Sequence, residues 1–230
     1  MILKFFQKLD DSIAYLFNNT INEKKFLKSY FKKKKIIFVD IGTNVGSYSD
    51  LIENNLNIKK GFLIEPSLNA CHKLSKRFNS KKFSIHNFAM SDMNKKKRIF
   101  YEYKLSSQSS LYKQNDKFKS LKKLKKISLI NTITFDEKFK KKEKIDFCKI
   151  DVQGEEMNVL RGMRINLGKK NIKLIKIEIS FSERYKGSKP NFFEIISYLI
   201  KYNYHLISIS KIKYKDNRIL LMDAYFLLKK

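Results

Sequence analysis

The chain has 230 residues, with 50 Lys or Arg against 22 Asp or Glu and a formal net charge of +28. That length suits one domain with a full hydrophobic core, and no run approaches the roughly 20 apolar residues that cross a bilayer. Two cysteines, at 71 and 148, read as buried thiols rather than a bridge, and the start Met-Ile-Leu-Lys-Phe-Phe runs into charged residues unlike a secretory signal, so a reducing cytoplasm is expected.

Charge by itself does not define a partner here, because lysines occupy every surface segment. They are denser at residues 32–35, four in a row, and at residues 113–144, with 12 Lys against Asp116, Asp136, Glu137 and Glu143. Such a run is ordinarily a solvated face. The sharper alternatives are an anionic membrane surface and an acidic glycan or lipid-linked substrate.

Residues 1–35 are expected to form an N-terminal helical extension and residues 36–230 one domain. Leu3, Phe6, Leu9, Ile13, Leu16 and Phe17 recur at helical spacing. A helix packed on the domain is the plainer reading, since its polar face carries acids as well as lysines; an interfacial membrane contact is the other.

Residues 36–46, Ile-Ile-Phe-Val-Asp-Ile-Gly-Thr-Asn-Val-Gly, read as a buried strand up to Asp40, a turn with Gly42 and Gly46, and the start of a helix through Tyr48, Leu51 and Ile52. Strand, glycine turn and helix make the nucleotide-cradling corner of a doubly wound α/β domain. The dinucleotide version needs a glycine two residues after the first, so that backbone approaches a pyrophosphate. That position is Asn44, and Asp40 would repel phosphate. The loop therefore suits an adenosine ligand with a positive charge and no phosphate, a description that S-adenosylmethionine meets. Residues 61–66, Gly-Phe-Leu-Ile-Glu-Pro, predict a second strand closing on Glu65, from which an acid accepts hydrogen bonds from ribose hydroxyls. Pro66 stops the strand, Ser67 is the expected N-cap, and Leu68, Cys71, Leu74 and Phe78 share a helical face. The plain alternative is a sheet turn whose glycines serve backbone geometry alone.

Residues 83–88 predict a third strand, leading into Asn87-Phe-Ala-Met-Ser-Asp92. Residues 97–103 alternate as an antiparallel strand, with residues 127–134 as partner. Between them lies a basic segment with Ser106, Ser107, Ser109 and Ser110, the expected place of substrate recognition. Residues 145–150 form a fourth core strand closing on Asp151, and Gly154 turns the chain into one helix with Met157, Leu160 and Leu167 inward. Residues 174–179 form a strand with Glu178 near its end. A helix at 191–202 and a strand pair at 205–210 and 219–228 complete the chain. This alternation predicts a mostly parallel sheet with helices on both faces and an antiparallel edge.

In open α/β sheets ligands lie beyond the carboxyl ends of the strands, which here carry Asp40, Glu65, Asn87, Asp151 and Glu178. Asp40 and Glu65 go with the cofactor, leaving Asp151, Glu156 and Glu178 toward an acceptor. Methyl transfer from a sulfonium needs the acceptor atom about 3 Å from the methyl carbon, and a hydroxyl must lose its proton. Asp151 is the first choice for that base, or for orienting the hydroxyl. The same three acids suit a hard divalent cation, and helix capping by Asp151 and Glu155 is the structural alternative. Lys149, inside an apolar strand, requires one of these acids as a partner. His86 reads as a strand residue with a satisfied ring rather than a base, no Cys or Ser stands beside a His as a nucleophile would, and no His/Cys spacing suits zinc.

The runs Val39-Asp-Ile-Gly-Thr-Asn-Val-Gly46, Ile64-Glu-Pro66, Asn87-Phe-Ala-Met-Ser-Asp92 and Lys149-Ile-Asp-Val-Gln-Gly-Glu-Glu156 resemble the FkbM family of S-adenosylmethionine-dependent methyltransferases. The serines of 106–110, Thr134-Phe-Asp136, Glu178 and Asp223-Ala-Tyr-Phe226 agree in order and spacing, so the resemblance covers residues 36–228. It implies the seven-stranded class I methyltransferase fold, with S-adenosylmethionine held around Asp40, Gly42, Asn44, Gly46, Glu65 and Asn87. It also implies O-methylation of a hydroxyl, with Asp151, Glu156 and Glu178 on the acceptor side. Gln153 is the one clear departure: the family usually has an acid there, so a charge is lost and no metal is predicted. The family often methylates sugars of surface glycans or secondary metabolites, which makes a sugar, glycan or related small molecule the expected acceptor. The rivals are an RNA methyltransferase, argued from net charge without any dedicated nucleic-acid module, and a binding protein with a degenerate pocket. A cytoplasmic protein is expected, or one peripheral to the inner face of the membrane through residues 1–35.

Overall fold

The computed structural model describes residues 21–229 apart from residues 122, 141–142 and 190, with the backbone alone at residues 119–121. Of the helical extension expected over residues 1–35, residues 1–20 lie outside the described residues. In chain order the elements are α1 (Glu23–Phe31), β1 (Lys35–Ile41), α2 (Ser47–Asn55), β2 (Asn57–Ile64), α3 (Leu68–Arg77), β3 (Phe83–His86), β4 (Ala89–Met90), β5 (Lys95–Tyr103), β6 (Leu124–Ile133) and α4 (Phe135–Lys138). There follow β7 (Ile145–Ile150), α5 (Glu156–Arg161), α6 (Arg164–Gly168), β8 (Ile172–Ser180), α7 (Phe192–Ile200), β9 (Tyr204–Lys215) and β10 (Arg218–Leu228).

Seven strands form one sheet in the order β3-β2-β1-β7-β8-β10-β9. The first five in that order run parallel, and β10 pairs antiparallel with both β8 and β9. The closing hairpin therefore folds back so that its second strand, not its first, joins β8. Residues 221–226 of β10 are buried without interruption, whereas β9 is buried only at Tyr204 and residues 208–210 and ends exposed, so the more apolar strand takes the interior place. Strand order reverses between β1 and β7, and a crevice opens there beyond Ile41 and Ile150.

A smaller sheet, β4-β6-β5, stands over that crevice. Phe100 packs with Ala89 and Leu111 on its inner side, with Ile130 and Tyr112 against them. α1 closes the other flank: Asn22 caps it by accepting from the Lys25 amide, and Leu27 and Phe31 are buried with Phe38 and Phe147. Both cysteines are free and buried. Among the described residues no helix is long and apolar enough to cross a membrane.

Three local expectations are corrected. The single helix after Gly154 is two, α5 and α6, broken near Gly162, where a Cβ would lie 2.2 Å from the Ser91 carbonyl oxygen and where the carbonyl accepts from the Asp136 amide. Leu68 is exposed at the start of α3, while Cys71, Leu74 and Phe78 are buried. The hairpin is longer than its apolar pattern predicts, with β9 running on through Lys-Ile-Lys-Tyr-Lys to Lys215.

Candidate active site

The loop after β1 is shaped by its neighbours. Gly42 takes φ +79°, and a Cβ there would sit 1.9 Å from the Asp151 carbonyl oxygen, so only glycine lets β1 and β7 end side by side. Asn44 is also left-handed, at φ 52°, and its amide donates to Glu65 Oε2 at 2.8 Å. The Ser67 amide donates to Glu65 Oε1 at 2.8 Å, so one carboxylate ties the loops after β1 and β2 together. Thr43 adds a second tie, donating to the Asp40 carbonyl and accepting from the Ile64 amide. Burial pushes the Glu65 carboxyl up to about 7, against the two amides that favour its charge.

These loops wall a cavity of about 190 Å³. Ile64, Phe88, Met90, Phe100 and Leu111 form its apolar side, with Glu65, Asp151 and Ser106, Ser107 and Ser109 on the polar side. An apolar slot beside an acid fits a purine ring next to ribose hydroxyls. Gly42, Asn44 and Glu65 line it as expected from the sequence.

Asp40, Gly46 and Asn87 do not line it, and each has another task. Asp40 is fully buried beneath the loop, accepts from Ser49 Oγ at 2.6 Å and pairs with Lys149 Nζ at 3.1 Å. Lys149 donates to the Gly42 carbonyl at 3.0 Å and lies 3.5 Å from Asp151, so Asp40 acts on the cavity only through it. A Cβ on Gly46 would strike Phe78 at 2.5 Å and Leu74 at 2.8 Å, which makes this glycine a packing requirement of α3. The Asn87 amide donates to the Glu65 and Pro66 carbonyls and fixes that turn from outside.

On the acceptor side, Asp151 borders this cavity and an adjoining one of about 320 Å³, which Glu178 also lines. Gln153 joins the two acids. Its Nε2 donates to Asp151 Oδ1 at 2.6 Å and to Glu178 Oε2 at 2.8 Å, while its Oε1 accepts from the Tyr185 hydroxyl at 2.8 Å. Burial alone would raise Asp151, but Lys149 and then Gln153 hold it below the usual carboxylate range. Glu178 goes the other way: burial, then the Asp151 charge, pushes it up to about 8. Among the described residues no group of three or more His, Cys, Asp or Glu side chains is placed to hold a metal ion.

Glu156, expected to face the acceptor, borders neither of these cavities. It accepts from the Val152 and Gly154 amides and so holds the loop that leads into α5, while Glu155 at the N-cap makes no side-chain cap, so the helix capping raised as the alternative for Asp151 and Glu155 is not formed. Glu155 instead accepts from Ser91 Oγ and pairs with Arg98 at 3.1 Å. Ser67 Oγ makes no cap and donates to Glu102. His86 stacks on Phe62 with Nδ1 3.3 Å from Lys138 Nζ, and Nε2 has no partner, so the satisfied ring expected from the sequence is only half realised. Burial, then Lys138, drives its ring down to about 4.

Sequence reasoning missed the cluster beneath the second cavity. Glu23 of α1 accepts from the Tyr48 hydroxyl at 2.7 Å, from Lys176 Nζ at 2.6 Å and from the Tyr225 hydroxyl. Lys176 sits 4.0 Å from the Tyr48 ring centroid and 2.9 Å from Asp223. The signal was available: Lys176 interrupts an apolar strand just as Lys149 does.

A parallel sheet with one inserted antiparallel strand and a ligand crevice at the β1/β7 reversal defines the class I, Rossmann-like methyltransferase fold. The sequence pattern of the methyltransferase FkbM domain matches residues 40–206, and the chain belongs to that family. Among solved structures it is similar to the methyltransferase FkbM of Methylobacillus flagellatus KT, with a TM-score of 0.56 and 13% identity over 93% of this chain and 50% of that one. The chain thus spans about half the length of that relative, and the likeness is one of fold. A weaker likeness, with a TM-score of 0.49 and 9% identity over 97% of this chain and 79% of the other, is to magnesium protoporphyrin IX methyltransferase from Synechocystis PCC 6803 with bound S-adenosylmethionine. No curated protein matches the chain.

Proposed function

We propose that this chain is an S-adenosylmethionine-dependent O-methyltransferase acting on a hydroxyl of a sugar, glycan or related small molecule. The observation that carries it is Asp151, a partly exposed carboxylate at the border of two cavities, held ionised by Lys149 and Gln153. The first cavity would hold the cofactor, with Glu65 toward the ribose hydroxyls and the apolar wall toward the adenine. When bound, the cofactor supplies a methyl group on a sulfonium: the acceptor oxygen forms the new C–O bond as the C–S bond breaks, with its electron pair going to sulfur.

Asp151 accepts the hydrogen bond of the entering hydroxyl and so aims its lone pair. A carboxylate with a lowered pKa is a weak base, but the oxygen becomes strongly acidic as the C–O bond forms, so the proton passes to Asp151 late. Glu178, pushed up by burial and then by the Asp151 charge, accepts from Gln153 and helps to place it rather than acting as the base. Lys149 and Ser107 border both cavities and guide the acceptor between them. Incubation with methyl-labelled S-adenosylmethionine and a glycan fraction of a lysate tests the reading. Label is expected in the glycan; label only in RNA or protein overturns it.

A further inference from the structure

The second cavity is the larger, and its wall shares Ser47, Tyr48, Ser107, Lys149, Asp151 and Gln153 with the first. A molecule seated there reaches Asp151. The rest of its wall is unusually cationic: Lys176, Arg184, Lys211 and Lys213 stand against Glu178 and Asp223. Most of these charges have clear partners. Lys149 is held by Asp40 and Asp151, and Lys176 by Glu23 and Asp223, with both ammonium groups buried.

Three cations remain poorly matched. Lys211, half exposed, reaches only the acids that Lys176 already occupies, Glu23 at 3.3 Å and Asp223 at 3.7 Å. Lys213 is exposed and makes no ion pair among the described residues. Arg184 is buried and reaches Glu178 only at 3.4 Å, a carboxyl that Gln153 already engages at 2.8 Å; its short bond, 2.6 Å, goes to the uncharged Gln108 side chain. Lys211 and Lys213 come from the part of β9 that extends beyond its apolar pattern. Exposed lysines are ordinary in so basic a chain. These two differ in lining a concavity that adjoins the proposed reacting atom, where charges of one sign focus their field.

We infer that the acceptor carries an anionic group, a phosphate or a carboxylate, held in the second cavity by Lys211, Lys213 and Arg184 while its hydroxyl meets Asp151. This inference rests on the proposed methyl transfer. Both anions present oxygens to ammonium and guanidinium donors, and charge-assisted bonds of this kind are roughly twice as strong as neutral ones.

The test is calorimetry on the full chain saturated with S-adenosylhomocysteine, titrated with glucose, glucose 1-phosphate and glucuronate, and repeated with Lys213→Glu. At least one charged sugar is expected to bind about tenfold or more tighter than glucose, and to lose about tenfold in the variant and further affinity with added salt. Whichever of the two binds more tightly identifies the anion as phosphate or carboxylate. Equal binding of all three, no binding of either charged sugar, or an unaltered affinity in Lys213→Glu overturns the inference, as does methyl label entering RNA and neither charged sugar. The loading step separates the two readings: no uptake of S-adenosylhomocysteine ends the methyl-transfer proposal, whereas uptake followed by preference for glucose ends only the anion subsite.

Discussion

Gln153 Nε2 lies 2.8 Å from Glu178 Oε2, and its other hydrogen points to Asp151, so a single neutral amide stands between two carboxyls. A donor in that place bridges the two acids, with Lys149 3.5 Å from Asp151 and Arg184 3.4 Å from Glu178 as the flanking cations. Replacing Gln153 with Glu sets a third carboxyl between the two and removes the amide donor that joins them. Gln153→Glu is expected to cost about 1–3 kcal/mol at pH 8 in urea unfolding, the range for buried polar groups left unsatisfied. The loss shrinks toward pH 5, where the cluster holds protons, and added Mg²⁺ recovers part of it in the variant but not in the native chain.

Stability should fall as pH rises from 6.5 to 8.5. Glu65 and Glu156 are raised to about 7 and Glu178 to about 8, mainly by burial, so the folded chain holds protons that the unfolded chain releases near 4.5. The stability they contribute is complete below 4.5 and is lost as pH passes through 7 to 8. His86 opposes this only below its unfolded value of 6.5, because its folded pKa is lowered to about 4. Thermal unfolding at half-unit steps should show Tm declining across the window, with a shallower decline in Glu178→Gln. A flat or rising Tm would contradict these assignments.

Glu23 anchors α1 and behaves oppositely with pH. Burial would raise it, but Lys176, then Tyr225 and Lys211, bring it down to about 2, so its contribution is present above 4.5 and lost as pH falls toward 2. Glu23→Ala strips Lys176 of its nearest acid and is expected to cost about 3–5 kcal/mol in urea unfolding.

The two glycines of the first loop should separate by readout. Gly42→Ala drives a methyl group into the Asp151 carbonyl and should weaken cofactor binding at least about tenfold by calorimetry, because β1 and β7 must move apart. Gly46→Ala meets Leu74 and Phe78 instead. It should lower Tm while the folded protein keeps its cofactor affinity within about threefold.

Asp151→Asn keeps shape and removes the proton acceptor. Methyl transfer is expected to slow by about 100- to 10,000-fold with cofactor affinity little changed, which single-turnover rates and calorimetry measure separately. An unaltered rate would remove Asp151 from the reaction.

The strand–glycine–helix corner, the acid 19 residues beyond Gly46 and the strand ending at Asp151 are legible in the chain because each depends on local spacing and periodicity. So is the mostly parallel sheet, which follows from the alternation of strand and helix. Less legible is the division of labour among the acids. Asp40, Glu65, Glu155 and Glu156 look alike in sequence, yet two border the cavity and two serve buried lysine or backbone amides.

Residue order by itself determined the class of fold, the crevice and a short roster of candidate carboxylates, since backbone geometry and burial patterns are written in short stretches of chain. Only the tertiary structure decided which carboxylate stays charged, which keeps its proton and which merely holds a loop. Those outcomes depend on partners far apart in sequence, such as Glu23 and Lys176 at a separation of 153 residues, and on how much water each group loses when the sheet closes over it.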